Sequence, residues 1–95
     1  MSHPFKAVSL SFKKAPLVIR ELLSLDEAAC RRFLHTLHLE LGLSDLLVLS
    51  TCNRTEVYYT AEDDRSREII LALGDLKDRA DIGQFLPYFD LLPGA

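Results

Sequence analysis

Residues 45–60 read Asp-Leu-Leu-Val-Leu-Ser-Thr-Cys-Asn-Arg-Thr-Glu-Val-Tyr-Tyr-Thr, and this stretch decides the fold. Asp45 to Thr51 is a largely apolar run, and Thr55 to Thr60 is rich in the β-branched and aromatic residues that strands favour. Because only Cys52-Asn53-Arg54 separates the two runs, the stretch predicts a tight hairpin or bent connection. Alternation after the turn places Thr55, Val57 and Tyr59 on one face of the sheet, with Glu56 and Tyr58 on the other.

Upstream of this hairpin, the pattern predicts one strand and two helices. Phe5 to Phe12 alternates its side chains with the period of a strand. Pro16 can begin a short helix through Leu23, since the missing N–H of proline is not needed in a first turn. The segment Ser24-Leu25-Asp26-Glu27 has the capping-box pattern, which predicts Ser24 as the cap of the next helix. Gly42 is placed to end that helix in a left-handed conformation.

Downstream of the hairpin, the pattern predicts a further helix and a last strand. Ile69, Ile70, Leu73 and Leu76 recur at the spacing of an apolar helical stripe. Residues 83–90 are expected to add a short strand around Tyr88-Phe89. The resulting order predicts an α+β fold of the ferredoxin-like, split βαβ type, with an antiparallel four-stranded sheet and helices packed on one face.

Composition narrows the class of protein. The 95 residues suit one domain, and 48% apolar with 26% charged residues is the balance of a globular chain. The net charge of −3 argues against a domain whose main task is to grip a phosphate backbone. Two cysteines are too few for a disulfide scaffold, and apolar runs such as residues 46–49 are far short of a membrane span. We therefore expect a cytoplasmic protein with no membrane partner.

The chemistry of the chain centres on Cys52. A thiol is a strong nucleophile once ionised, and a cation such as Arg54 favours the thiolate or can grip a carboxylate with two hydrogen bonds. Ser50 and Thr51 can donate hydrogen bonds to a substrate. Tyr58 stands where a phosphatase loop needs arginine, and Thr55 where a thioredoxin-type pair needs cysteine. The residues alone leave open a buried, inert cysteine, with Arg54 and Glu56 on a solvated edge.

Two segments resemble one family. Residues 50–58, Ser-Thr-Cys-Asn-Arg-Thr-Glu-Val-Tyr, resemble the signature of glutamyl-tRNA reductases nearly residue for residue. Residues 11–21 resemble the Asn-His-Lys-Thr-Ala-Pro segment of that family, with its following Arg-Glu pair. Here Ser11 stands at the Asn position, Phe12 at the His and Lys14 at the Thr, whereas Ala15-Pro16 and Arg20-Glu21 keep the register.

The resemblance implies that residues 1–95 are an N-terminal catalytic domain, cut off before the NADPH-binding and dimerisation domains. Cys52 would attack the ester of glutamyl-tRNA and hold glutamate as a thioester, which NADPH would reduce to glutamate-1-semialdehyde for tetrapyrrole (porphyrin) synthesis. Thr51 and Arg54 would recognise the glutamyl group, and Ser50 and Asn53 would shape the turn. The resemblance also implies a histidine beyond the chain, a homodimer of the full-length protein, and a downstream aminomutase as a partner.

Other interpretations of the same sequence were weighed. One is a non-catalytic ferredoxin-like binding module in which the Cys52 motif closes a hairpin, and another is a cysteine redox sensor. No Gly-x-Gly-x-x-Gly follows a strand, so we expect no cofactor site in this chain. His35 and His38 lie three apart on a predicted helix, but without a third ligand we expect surface histidines and no metal.

Overall fold

The computed structural model describes residues 5–92, and these residues form one antiparallel sheet with helices packed against it. In chain order the elements are β1 (Phe5–Ser11), α1 (Leu17–Leu22), α2 (Glu27–Leu41), β2 (Ser44–Ser50), β3 (Arg54–Thr60), α3 (Ser66–Leu76), a 3₁₀ helix (Ile82–Tyr88) and β4 (Phe89–Leu92). The predicted α+β class is therefore confirmed.

The sheet has the strand order β2-β3-β1-β4, and each neighbouring pair is antiparallel. β3 thus lies between β1 and β2, with Val57 opposite both Val8 and Val48. β4 adds to the other edge of β1, where Phe89 pairs with Leu10. The hairpin that joins β2 to β3 is the predicted one, and its tip carries Cys52.

One face of the sheet is covered by α2 and α3. Along β1 and β3, alternate side chains point into the apolar core, as the period of a strand requires. The core joins these strand residues to the buried faces of the two helices. Its members include Val8, Leu10, Phe33, Leu37, Val57, Tyr59, Ile69, Ile70, Leu73 and Phe89.

The opposite face of the sheet is open, and it mixes apolar and polar groups. Phe5 and Tyr58 stack with ring centroids 5.7 Å apart, and Leu47 lies opposite Tyr58 in the neighbouring strand. Ser9 and Glu56 form the polar part of the same face. No helix within residues 5–92 has the length and apolar character needed to cross a bilayer.

Two local predictions are corrected by the structure. Asp26 rather than Ser24 caps α2, because its carboxylate accepts the Ala29 N–H at 2.8 Å. The Ser24 hydroxyl instead donates to the Glu21 carbonyl at 3.1 Å. The last strand is β4 at residues 89–92, and most of the stretch predicted for it, residues 83–88, is 3₁₀-helical. Gly42 ends α2 with φ 67°, as predicted.

Candidate functional site

The candidate site is the turn at the tip of the β2–β3 hairpin. Thr51, Cys52 and Asn53 connect the two strands, and the thiol of Cys52 is exposed. This exposure rules out burial of Cys52, which the residues alone left open. An exposed cysteine at a strand-to-strand turn can meet a ligand directly, whereas a core cysteine cannot.

Hydrogen bonds to three successive carbonyls hold this turn. The Arg54 carbonyl accepts the Thr51 N–H at 2.8 Å, and the Asn53 carbonyl accepts the Phe12 N–H at 2.9 Å. The Cys52 carbonyl accepts a hydrogen bond from Nη1 of Arg20 at 3.0 Å. The Thr51 hydroxyl adds a fourth contact, since its oxygen accepts the Asn53 N–H at 3.1 Å. The turn is therefore tied both to itself and to the segment that follows β1.

A cavity of about 500 Å³ opens beside the thiol. Ser50, Thr51 and Cys52 line it from the hairpin, and Leu17, Arg20 and Glu21 line it from α1. Apolar, cationic and anionic groups thus face the same space as the thiol. Most of the cavity surface is apolar, and its few charged and hydroxyl groups can fix the orientation of a bound ligand.

The hydroxyl of Ser50 is occupied by protein partners. Its oxygen accepts the Leu25 N–H at 2.9 Å and lies 3.0 Å from the Thr55 hydroxyl. These contacts join the α1–α2 connection to both strands of the hairpin. The predicted role of Ser50 in shaping the turn agrees with this geometry. Ser50 can donate to a substrate only when Thr55 is the donor in the hydroxyl pair, because the Ser50 proton is then free.

Arg54 lies apart from the thiol cavity, on the open face of the sheet. Its guanidinium is 3.8 Å from the carboxylate of Glu56. It lines a second cavity of about 360 Å³, together with Glu56, Tyr58 and Asp90. The structure therefore brings Ser50, Thr51 and Cys52 to one cavity and leaves Arg54 at the other, with the backbone of Asn53 between them.

Glu56 is buried, which argues against the alternative that placed it with Arg54 on a solvated edge. Its carboxylate accepts hydrogen bonds from the hydroxyls of Ser9 and Tyr58, each at 2.8 Å. The bond that Tyr58 donates to Glu56, followed by burial, raises the pKa of the Tyr58 phenol. The two neighbouring strands thus share one polar cluster beside Arg54.

Arg20 is a contributor to the site that sequence reasoning missed. In the sequence, the pair Arg20-Glu21 stands out only because it matches the Arg-Glu pair of the family segment. The contact between Arg20 and Cys52 spans 32 positions in the chain, so no local pattern signals it. The resemblance between residues 11–21 and the family segment was the available signal that this region belongs to the site.

Cys30 and the two histidines of α2, His35 and His38, do not line the cavity beside Cys52. Cys30 is half-buried in α2, where burial first and the Asp26 carboxylate second raise the pKa of its thiol. Nδ1 of His38 lies 2.9 Å from the Leu43 carbonyl, at the end of α2. Within residues 5–92, no three His, Cys, Asp or Glu side chains group as a metal site would require.

Fold and site together define a class: an α+β domain that presents an exposed cysteine at a hairpin tip, beside a largely apolar cavity with a few charged and hydroxyl groups. Residues 8–92 match the family model described as the glutamyl-tRNA reductase N-terminal domain. The chain belongs to this family.

Proteins named glutamyl-tRNA reductase are similar to this chain in sequence, as the family match predicts. The chain is 44% identical over 91 residues to a glutamyl-tRNA reductase of Cytophaga hutchinsonii, covering 96% of this chain and 21% of that protein. It is 41% identical over 64 residues to one from Rubrobacter xylanophilus, covering 67% of this chain and 15% of that protein. The chain therefore spans about a fifth or less of the length of these relatives.

A solved structure is similar as well. The glutamyl-tRNA reductase from Methanopyrus kandleri superposes with a TM-score of 0.57 at 30% sequence identity. The match covers 80% of this chain and 17% of that one. The fold described above is thus one that a glutamyl-tRNA reductase contains.

Proposed function

We propose that this chain is the N-terminal catalytic domain of a glutamyl-tRNA reductase and that Cys52 is its nucleophile. One observation carries the proposal: Cys52 is exposed on a hydrogen-bonded turn and lines a largely apolar cavity that also carries charged and hydroxyl groups. The family and the named relatives supply the substrate class, glutamyl-tRNA, and the reaction class, a reduction.

The first chemical step forms a thioester. The Cys52 sulfur attacks the carbonyl carbon of the aminoacyl ester, and the bond from that carbon to the ribose oxygen breaks. The ribose oxygen takes the proton that the thiol gives up, so tRNA leaves with a free hydroxyl and glutamate stays on sulfur. NADPH, bound elsewhere in a full-length protein, would supply the hydride that converts the thioester to glutamate-1-semialdehyde and returns the thiol.

The neighbouring residues have distinct proposed roles. The Thr51 hydroxyl accepts from Asn53 N–H, so its own proton is available to a glutamyl oxygen in the cavity. Arg54 lines the second cavity, so it would bind a carboxylate of a substrate that extends from Cys52 past Asn53, since its present ion-pair distance of 3.8 Å is long and its side chain is 44% exposed. Ser50 and Asn53 would shape the turn, a role that their internal hydrogen bonds support.

The described residues do not fit a dinucleotide. A dinucleotide site needs glycines in a turn from strand to helix, where the backbone approaches the pyrophosphate. Gly42 ends α2, Gly74 lies inside α3, and Gly83 lies in the 3₁₀ helix. We therefore assign the NADPH site to residues outside this chain, together with the dimerisation domain and any contact with an aminomutase.

Two further assignments, of the fold type and of the cellular compartment, accompany this proposal. The strand order β2-β3-β1-β4, with β3 between β1 and β2, supports a ferredoxin-like, split βαβ arrangement. The enzyme would act in the cytoplasm as part of tetrapyrrole synthesis, because the substrate class implied by the family is an aminoacyl-tRNA.

Trapping of the thioester tests the proposal. The chain is incubated with tRNA charged with radiolabelled glutamate, quenched in acid, and digested for peptide mass spectrometry. We expect label on the peptide that contains Cys52, and release of that label by hydroxylamine. Cys30→Ser is the matched control and should keep the label, whereas Cys52→Ser should lose it.

A chimera tests the whole reaction. This chain replaces the corresponding segment of the Cytophaga hutchinsonii reductase, and production of glutamate-1-semialdehyde is measured. We expect an active chimera that Cys52→Ser inactivates and Cys30→Ser does not. Activity that survives Cys52→Ser would contradict the nucleophile assignment. Oxidation of Cys52 by dilute peroxide, with no reaction toward glutamyl-tRNA, would favour a redox sensor instead.

A further inference from the structure

The hydrogen bond from the Thr51 N–H to the Arg54 carbonyl leaves Cys52 and Asn53 as the two central residues of the turn. Neither has the backbone conformation that normally fixes a two-residue hairpin loop. Such loops favour turns in which the first central residue, or both, has positive φ, because their twist then matches that of the strands. Among residues 5–92, positive φ occurs at Gly42, Asp45 and Asp78, and at neither Cys52 nor Asn53. Besides the hydrogen bonds within the turn, contacts from outside the hairpin therefore help to determine how the Cys52 peptide is oriented.

One of those contacts comes from a side chain. The carbonyls of Asn53 and Arg54 are held by backbone N–H groups, which most substitutions leave in place. The Cys52 carbonyl is held at 3.0 Å by the guanidinium of Arg20. The peptide that follows the thiol-bearing residue thus depends on a group that a single substitution can remove.

Arg20 is itself held in place. Its Nε donates to the Ala15 carbonyl at 3.2 Å, while Nη1 reaches Cys52. Arg20 lies in the segment of residues 15–23, and the two end residues of this segment, Ala15 and Leu23, are buried in the core. A planar guanidinium offers several donors in a fixed fork, whereas lysine offers a single charged point on a flexible stem. The arginine therefore links two carbonyls with a geometry that lysine does not reproduce.

We propose that Arg20 is a positioning residue that fixes the Cys52 turn and so directs the thiol toward the cavity. This inference rests on the proposed function for its catalytic consequence. Arg20 acts through Cys52, so its loss should slow formation of the thioester without weakening the affinity for glutamyl-tRNA. The turn itself should become mobile whether or not a substrate is present.

The first experiment measures the order of the turn without any substrate. Backbone ¹⁵N relaxation is recorded for the chain and for Arg20→Ala and Arg20→Lys. We expect the order parameters of the Cys52 and Asn53 amides to fall from about 0.85 to below about 0.6 in both variants. Arg31→Ala is the matched control, because Arg31 is an exposed arginine of α2 that pairs with Glu27 at 2.7 Å. Amides of β2 and α2 should keep their values in all variants.

The second experiment measures the reaction. Single-turnover thioester formation is followed as a function of glutamyl-tRNA concentration. We expect the limiting rate constant to fall about tenfold in both Arg20 variants, the effect of one lost charge-assisted hydrogen bond. The half-saturating concentration should not change. Alkylation of Cys52 by iodoacetamide, which needs no fixed orientation, should stay within about twofold, since the thiol remains exposed.

The outcomes separate this inference from the proposed function. Unchanged order parameters in Arg20→Ala overturn the positioning role, and so does wild-type behaviour of Arg20→Lys, which would show that charge alone is enough. If the unsubstituted chain forms no thioester, the proposed function fails. In that case the relaxation data still decide whether Arg20 fixes the turn.

Discussion

Replacement of Ser50 by alanine should destabilise the fold. The Ser50 oxygen accepts the Leu25 N–H at 2.9 Å and contacts the Thr55 hydroxyl at 3.0 Å. Leu25 and Thr55 are buried, so neither group gains full access to water when its partner is removed. Ser50→Ala therefore leaves one donor and one hydroxyl unsatisfied.

The size of the effect follows from these two groups. A buried polar group that loses its partner costs about 1–3 kcal/mol. Ser50 lines the cavity beside Cys52, so water that enters there can restore part of the lost hydrogen bonding. We therefore expect the free energy of unfolding to fall by about 2 kcal/mol, which is the lower end of the range for two such groups together.

Urea unfolding measures this loss. With a slope of about 1–1.5 kcal/mol per molar urea for a domain this small, the midpoint should fall by roughly 1.5 M. Ser24→Ala is the control, because the Ser24 hydroxyl donates to the Glu21 carbonyl at an exposed position, and it should cost less than about 0.5 kcal/mol. Thr55→Val should give an intermediate loss, since Ser50 then keeps the Leu25 N–H. A midpoint for Ser50→Ala equal to that of the unsubstituted chain would refute the reasoning and leave the hydroxyl available to a ligand.

Two further predictions concern stability. An added Cβ at Gly74 would lie 2.7 Å from Cβ and Cγ2 of Ile82. Gly74→Ala should therefore lose about 1–2 kcal/mol on thermal unfolding, because overpacking outweighs a gain of about 1 kcal/mol in helix propensity. Gly83→Ala, where nothing lies within 4 Å, is the control and should unfold as the parent does. Hydrogen bonds from the hydroxyl and the N–H of Ser66 lower the pKa of Asp64. This carboxylate therefore stabilises the fold at pH values above its unfolded pKa of about 3.9. The contribution is lost as the pH falls through the folded pKa of Asp64. Asp64→Asn should thus be less stable than the parent at neutral pH, and in urea titrations this difference in stability should shrink toward pH 2. A difference that persists at pH 2 would contradict this assignment. Asp63→Asn serves as the control.

The elements predicted correctly from the sequence are those that local chemistry determines. The hairpin forms because two strand-like runs flank a three-residue connection, and Gly42 ends α2 because glycine adopts positive φ at little cost. The cap of α2 was misassigned because Ser24 and Asp26 are both cap-type residues. Only the folded chain decides between them, since the Ser24 hydroxyl is directed to the end of α1.

The features that the sequence did not reveal depend on distant partners. Alternation placed Glu56 and Tyr58 on one face, but it did not indicate that Glu56 is buried. That burial arises from pairing with β1, which brings Ser9 to within 2.8 Å of the Glu56 carboxylate. The separation of Arg54 from the thiol cavity has a similar origin, because β3 directs Arg54 and Glu56 to the same open face.

Phe12 stands where the family segment has histidine, and the hydrogen bonds that hold the Cys52 turn explain why this change is tolerated. The segment after β1 reaches the Cys52 turn through the Phe12 N–H, which donates to the Asn53 carbonyl at 2.9 Å. The Phe12 side chain is 52% exposed, so the residue supports the turn with its backbone. Any residue except proline supplies that N–H. A phenylalanine where the family resemblance has histidine therefore preserves the tether, and the side-chain contribution to the turn comes from Arg20, eight positions further along.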